Sequence, residues 1–301
     1  MVKIISIVNQ KGGVAKTTTT RNVAYVLSKK FGKRVLLIDM DDSGNLSESF
    51  HCLLPEKTRS TDADTGVSRL LRDADCKAED VIMSTNYQGI DIIPCNSSLA
   101  QVKVQIETDV IAMMQFRLKN KLKPLKKAGE YDFCIIDTKA GLDALVVNAL
   151  CASDEVIIPT MVDKDSLNMV NQAIKAIEQV SDYSEVALRG VLFTMVNART
   201  SMDRQAITVF AKRVQYPIFD TYIRQSAAVK QARWGYRMCD EDNPGSPSAI
   251  DYDNFVCELL GVEMLHENGA SRKAFALSYA AQQAKRAAQK QKAQDKEKKK
   301  K

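Results

Sequence analysis

The stretch Asn9-Gln10-Lys11-Gly12-Gly13-Val14-Ala15-Lys16-Thr17-Thr18 sets paired glycines, two lysines and two hydroxyls between a short apolar run and a segment of helical periodicity. Glycines at a strand-to-helix turn leave backbone N–H groups free to wrap a phosphate, and the helix N-terminus adds its positive dipole end. In such a turn Lys16 supplies charge to the β- and γ-phosphates of a nucleotide, and the Thr17 hydroxyl is placed to ligate Mg²⁺. Three acids follow apolar runs: Asp39 and Asp41 after residues 35–38, and Asp137 after residues 133–136. An acid at the end of a strand can simply cap the next helix. A parallel sheet, however, binds its ligands along that carboxyl edge, where acids meet a cation.

These residues need a frame that brings them to one edge. Short apolar runs at residues 4–8, 35–38, 90–93, 133–136, 156–158 and 191–195 read as buried strands. Helix-length periodic segments alternate with them at residues 18–30, 109–126, 144–152, 166–180 and 201–213, with a closing helix at 249–260. Such alternation predicts an α/β fold: a mostly parallel twisted sheet with helices on both faces. Residues 55–66 and 240–247 are polar or dense in turn residues and read as surface loops. One large domain over residues 1–262 is expected, followed by a basic Ala/Gln/Lys-rich extension over 263–301, helical or disordered.

Charge is unevenly placed. From Arg272 to Lys301 there are 11 Lys or Arg against 2 Asp or Glu, whereas the rest of the chain carries 32 basic and 35 acidic residues. A tail of +9 on a slightly acidic body points to a polyanionic partner or to a solvated tail. The seven cysteines form no C-x-x-C pair and have no zinc-type spacing with His51 or His266, so they read as small buried hydrophobes of a reducing compartment. No stretch has the length and apolarity of a membrane span, and the chain begins directly with strand-like residues. A cytoplasmic protein is expected.

The glycine-rich turn departs from the G-x-x-x-x-G-K-[ST] pattern, whose fixed glycines fall on Gln10 and Ala15. It resembles the deviant Walker A motif of the ParA/MinD family of P-loop ATPases, K-G-G-V-G-K-T. Leu36-Leu37-Ile38-Asp39-Met40-Asp41 resembles that family's second-strand segment, continued by Gly44-Asn45-Leu46-Ser47. Residues 131–138 resemble its Walker B strand, and residues 191–200 a late strand and turn of the ParA partition branch. The motifs keep the family's order over residues 2–262. The resemblance implies a P-loop NTPase fold, ATP and Mg²⁺ as cofactors, and slow hydrolysis of ATP to ADP and phosphate. It implies that Gly12, Gly13, Val14, Ala15, Lys16, Thr17 and Thr18 hold the nucleotide, Thr18 at the α-phosphate. Lys11 corresponds to the signature lysine that reaches the partner's nucleotide across a homodimer, and Asp41 to the acid that positions the attacking water. Thr17 and Asp137 would hold Mg²⁺, the latter through water, with Asp39 in support.

Three departures qualify this picture. Ala15 stands where the family has glycine, which is tolerable if its φ is negative and its methyl points away from the phosphates. Asp42 adds a third carboxylate near the metal. Lys139-Ala140 replaces a stiff Pro-Pro pair, leaving Lys139 to reach phosphate or a partner carboxylate. Family members also differ in the surface they use. Sequence-independent DNA binding needs only cations spread over a face, and Arg199, Arg204, Lys212, Arg213, Arg224, Lys230, Arg233 and the tail are the candidates. The leading reading is a nucleoid-associated partition ATPase that binds DNA as an ATP dimer and is released by a ParB-like adaptor. The alternatives are a MinD-like positioning ATPase, whose membrane helix the tail does not resemble, and a nucleotide-switched regulator with little hydrolysis. An iron–sulfur relative is disfavoured, because Cys95 and Cys134 sit in strand-like runs.

Overall fold

The computed structural model of the chain describes residues 1–52, 66–108 and 114–274. Its strands are β1 (Lys3–Ile7), β2 (Val35–Met40), β3 (Met83–Ser84), β4 (Ile90–Ile93), β5 (Phe133–Thr138), β6 (Glu155–Thr160) and β7 (Ala187–Phe193). They form one sheet of order β3-β4-β2-β5-β1-β6-β7, parallel throughout except for the β3–β4 pair. Residues 217–225 extend it irregularly along the outer edge of β7, through bonds such as Phe219 N–H to Val191 and Ile223 N–H to Phe193.

The strands are apolar without alternation because both faces are covered. Ile5, Ile7, Leu37 and Ile135 point to one face and pack with Val23, Leu27 and Phe255. The intervening Ile4, Leu36, Ile38 and Ile136 point to the other, with Leu70, Leu99, Leu118 and Leu145. The first face is built by α1 (Lys16–Phe31) and α11 (Pro247–Leu260). The second is covered by α3 (Gly66–Arg72), α4 (Leu99–Thr108), α5 (Arg117–Ala128) and α6 (Ala144–Ala152). A third cluster, with Val170 and Phe210, joins β6 and β7 to α7 (Lys164–Ser181) and α8 (Ser201–Arg213). Each fully buried Leu, Ile or Phe contributes roughly 1.5–3 kcal/mol, so the frame behind the carboxyl edge is rigid.

Several boundaries differ from the sequence reading. The helix expected over 109–126 begins at Arg117, after a 3-10 turn at Met114–Phe116, and residues 109–113 lie outside the described residues. Of the loop expected over 55–66, only Gly66 is described, and it opens α3. The loop expected over 240–247 gives its first three residues to a single turn, α10 (Cys239–Asp242), because the Glu241 carboxylate accepts the Met238 N–H. The short helices α2 (Asn45–Ser49) and α9 (Ala227–Trp234) were not read from the sequence.

Past α11 the chain stays on the body. Ala270 is buried and its N–H donates to Asp251, while the Arg272 N–H and the Ser271 hydroxyl donate to Asp220. Residues 275–301, with the lysine run, lie outside the described residues. All seven cysteines are buried and unbridged. No helix among the described residues is long and apolar enough to cross a membrane.

Candidate nucleotide-binding site

The loop between β1 and α1 is pinned from the carboxyl ends of β6 and β7. Asn9 is fully buried; its Nδ2 donates to the Pro159 carbonyl at 2.7 Å and its Oδ1 accepts the Lys11 N–H at 2.9 Å. Thr194, just past β7, donates its hydroxyl to the Val14 carbonyl at 3.1 Å. Gly13 has φ +75°, a left-handed turn that glycine adopts without strain. Ala15 also lies there, at φ 66° and ψ 29°, which corrects the expectation of a negative φ. The path of the loop imposes this: Ala15 is the N-cap of α1, and its carbonyl must turn inward to accept the Thr19 N–H at 2.8 Å. Ala15 is also one of the residues lining both cavities described below. A non-glycine residue there costs about 1 kcal/mol.

Lys16 is 8% exposed, and its Nζ donates to the Lys11 carbonyl at 3.1 Å. Burial lowers its pKa, against the attraction of Asp137 and Asp41. Thr17 donates its hydroxyl to Asp137 at 2.6 Å, and Thr20 donates to the other oxygen at 3.1 Å. Asp39 and Asp137 are register partners on β2 and β5, both fully buried. Burial, reinforced by the neighbouring Asp39, pushes Asp137 up to about 8, and burial pushes Asp39 up to about 6. A buried carboxylate short of countercharge beside a hydroxyl is a hard-oxygen donor set that fits Mg²⁺. Asp39 has both oxygens engaged: one accepts the Asp41 N–H, the other the Ser47 N–H and hydroxyl. It therefore shapes the loop that carries Asp41 and Asn45.

Lys11 is not buried in the phosphate cavity. Its Nζ sits on the Asp163 carboxylate at 2.9 and 3.0 Å and on the Ser166 hydroxyl at 2.9 Å. Partial burial alone would raise Asp163, but the hydrogen bonds from Ser166 and Lys11 hold it down at about 2. Asp163 and Ser166 were missed. Their spacing is legible as the N-cap of α7, but nothing local joins that cap to Lys11.

Two of the three departures from the family pattern meet. Lys139 Nζ lies 3.2 Å from Asp42 and 3.7 Å from Asp143. Asp42 is thus paired within the rim, and Lys139 finds its carboxylate in its own chain. Lys139 is raised by its hydrogen bond to Asp42 although its burial would lower it.

A cavity of about 260 Å³ is lined by the loop from Gly12 to Thr18, by Asp41, Asn45 and Ser49, and by Arg21 and Arg233. A second of about 870 Å³ shares Ala15, Thr18 and Met195 with it and is bounded by Asn197, Arg199, Lys230 and Tyr252. The first suits a phosphate chain and the second a nucleoside. Of the cations assigned to DNA, Arg199 and Lys230 are exposed on the second cavity. Arg233 lines the phosphate cavity instead. Arg224 leaves the set, because its guanidinium forks onto the fully buried Asp251 at 2.8 Å and also reaches the Pro247 carbonyl. A bidentate pair of this kind has little left for a third partner. Arg204 and Arg213 belong to α8, but their side chains lie outside the described residues.

A lysine-bearing loop at the carboxyl edge of a parallel sheet, opening on adjoining phosphate-sized and nucleoside-sized cavities, defines a P-loop nucleotide-binding fold. Comparison with known proteins narrows the class. The family described as AAA domain matches residues 2–189. Sporulation initiation inhibitor protein Soj of Bacillus subtilis is 33% identical over 234 residues, 77% of this chain and 88% of that protein. Chromosome partitioning protein ParA of Caulobacter vibrioides is 31% identical over 233 residues, 77% of this chain and 84% of that protein. Among solved structures, cobyrinic acid a,c-diamide synthase from Mycobacterium smegmatis with bound ADP and magnesium is 26% identical with a TM-score of 0.68, over 88% of this chain and 98% of that one. The chain belongs to the ParA/MinD family of P-loop ATPases, in its partition branch.

Proposed function

We propose that this chain is a partition ATPase that cycles between a free subunit and an ATP-sandwich dimer bound to DNA. The observation that carries this reading is the division of labour between the two lysines. Lys16 is committed to its own phosphate cavity, while Lys11 stands outside it on a single carboxylate, free to be exchanged for a stronger anion. Lys11 leaves Asp163 and Ser166 to reach the partner's nucleotide, as an arginine finger would.

Backbone N–H groups from Gly12 to Thr17 wrap the phosphates of ATP, Lys16 neutralises the β- and γ-oxygens, and Thr18 faces the α-phosphate. Thr17 and Asp137 are the residues that would hold Mg²⁺, which when bound would supply electrostatic stabilisation of the phosphoryl group being transferred. Asp39 fixes the loop, and Asp41 on it orients the attacking water. Hydrolysis is slow until a ParB-like adaptor stimulates it. Arg199, Lys212, Lys230 and the basic tail meet DNA phosphates without reading sequence, which makes the protein cytoplasmic and nucleoid-associated.

The test is binding to arbitrary duplex DNA with ATP, ADP or no nucleotide, for the full chain and for one ending at residue 274, with dimer formation followed in parallel. ATP-dependent binding that survives removal of the tail is expected. Lys11→Ala is expected to keep nucleotide binding and lose the ATP-dependent dimer and the DNA complex. Binding that ignores nucleotide and vanishes with the tail would reduce the DNA affinity to tail electrostatics and overturn the reading.

A further inference from the structure

The phosphate cavity is lined by two arginines with no role in the family's motif, Arg21 and Arg233. Arg21 lies one turn along α1 from Thr17, on the same face of the helix. It is only 4% exposed, yet no carboxylate among the described residues lies within ion-pair distance of it. One terminal nitrogen donates to the Ser49 hydroxyl at 3.2 Å and the other to the Arg237 carbonyl, while Nε is buried without a partner. Arg233, on the last turn of α9, lines the same cavity, and its guanidinium makes no hydrogen bond or ion pair among the described residues. The ionisable side chains lining this cavity are Lys16, Arg21 and Arg233 against Asp41 alone. Burial lowers Arg21, and the charge of Arg233 acts in the same direction.

A buried charge without a counter-charge is costly, and it persists where a ligand supplies the missing partner. The segment after α9 is held in place to meet one. Arg21 bonds the Arg237 carbonyl, Arg237 pairs with Asp242 at 2.8 Å, and the Tyr236 hydroxyl donates to Glu48 at 3.0 Å. Arg21 therefore touches both the cavity and the backbone that carries Arg233.

We infer that Arg21 and Arg233 form a second cationic pole of the phosphate site, binding the phosphate chain of a nucleoside triphosphate in cis in addition to Lys16. This rests on the nucleotide reading above and extends it to two residues outside the P-loop. Arg233 closes on the phosphates from the side of α9, and Arg21 anchors both the anion and the strand of chain behind Arg233. A triphosphate, with more charge than a diphosphate, gains more from the added pole.

The test is calorimetric binding of Mg-ATP and Mg-ADP to the full chain without DNA, at low and moderate salt, for wild type, Arg233→Ala, Arg233→Lys and Arg21→Met. Arg233 is exposed, so its variants are expected to fold. Arg233→Ala is expected to raise the Kd for ATP about tenfold and that for ADP by less, the loss of one charge-assisted contact. Arg233→Lys is expected to recover part of it, since the charge returns without the fork. Arg21→Met is expected to raise the melting temperature of the nucleotide-free protein while weakening ATP. Unchanged affinity for both nucleotides in Arg233→Ala overturns the inference. So does an Arg21→Met protein that melts lower and binds ATP as before, which would make Arg21 a purely structural residue. Failure of the wild type to bind any nucleotide would instead sink the underlying reading of the site.

Discussion

The floor of the phosphate site and its rim handle awkward residues in opposite ways. On the floor nothing answers them. Ala15 sits left-handed without being glycine, and Asp137 lies fully buried beside Asp39 with only hydroxyls and the buried Lys16 near it. On the rim, each irregular residue is answered by another. Asp42, an added acid, is met by Lys139, itself an added cation, and Asp143 braces the pair. The difference separates two kinds of departure from a family pattern. A change at the rim is neutralised inside the protein, whereas the floor keeps a left-handed alanine and a buried carboxyl that no cation among the described residues pairs.

The contrast is sharpest in pH, where the largest effect is expected. Asp137 keeps its proton up to about pH 8 in the folded chain, whereas a carboxyl in the unfolded chain loses it near 3.9. Between those values the folded state binds a proton that the unfolded state does not, so stability falls as pH rises through this window and levels off above it. Asp39, held at about 6, adds to the slope in the lower part. The nucleotide-free protein is expected to resist urea better at pH 6 than at pH 9, and Asp137→Asn to flatten the slope and add about 2 kcal/mol at pH 9. Stability independent of pH across this range would mean that the floor is already neutralised, and the contrast with the rim would disappear.

A smaller effect is expected at the rim. Lys139→Glu replaces a cation between two acids by a third acid, and is expected to cost about 1.5 kcal/mol, less in high salt. Combining it with Asp42→Lys restores the pair with its polarity reversed, and is expected to recover most of the loss. The two changes should then couple by about 1 kcal/mol in a double-mutant cycle by urea denaturation. Additive effects would show that Asp42 and Lys139 are neighbours without being partners.

The same contrast marks what was legible in the sequence. The strands were, because parallel strands covered on both faces are apolar without a break, as residues 4–8 and 133–136 are. The P-loop was, because glycine and lysine types carry its chemistry. Helices α4 and α9 were not, since α4 buries only Leu99, Val102 and Ile106, and α9 only Ala228 and Ala232. Pairings between distant loops were illegible: Lys11 and Asp163 are 152 residues apart, and Lys139 and Asp42 are 97 apart. Arg224 was read by its charge as a DNA contact, but Asp251 takes that charge once α11 folds against it. Residue type also failed at Ala15. A methyl in place of glycine suggested a loop relaxed to suit it, when the path between β1 and α1 fixes the backbone whichever residue stands there.

That last point yields the smallest expected effect. If the loop imposes φ 66° on Ala15, then Ala15→Gly removes the clash of a Cβ with its own backbone. It also gives the unfolded chain more freedom, which offsets part of the gain. A net stabilisation of about 1 kcal/mol is expected in urea denaturation of the nucleotide-free protein, with little dependence on pH or salt, because no charge changes. Ala15 also lines both cavities, so the same variant is expected to bind ATP at least as tightly as the wild type. A destabilised Ala15→Gly protein would mean that the loop relaxes around alanine to a negative φ. The floor would then resemble the rim, with its departure accommodated inside the protein before any ligand arrives.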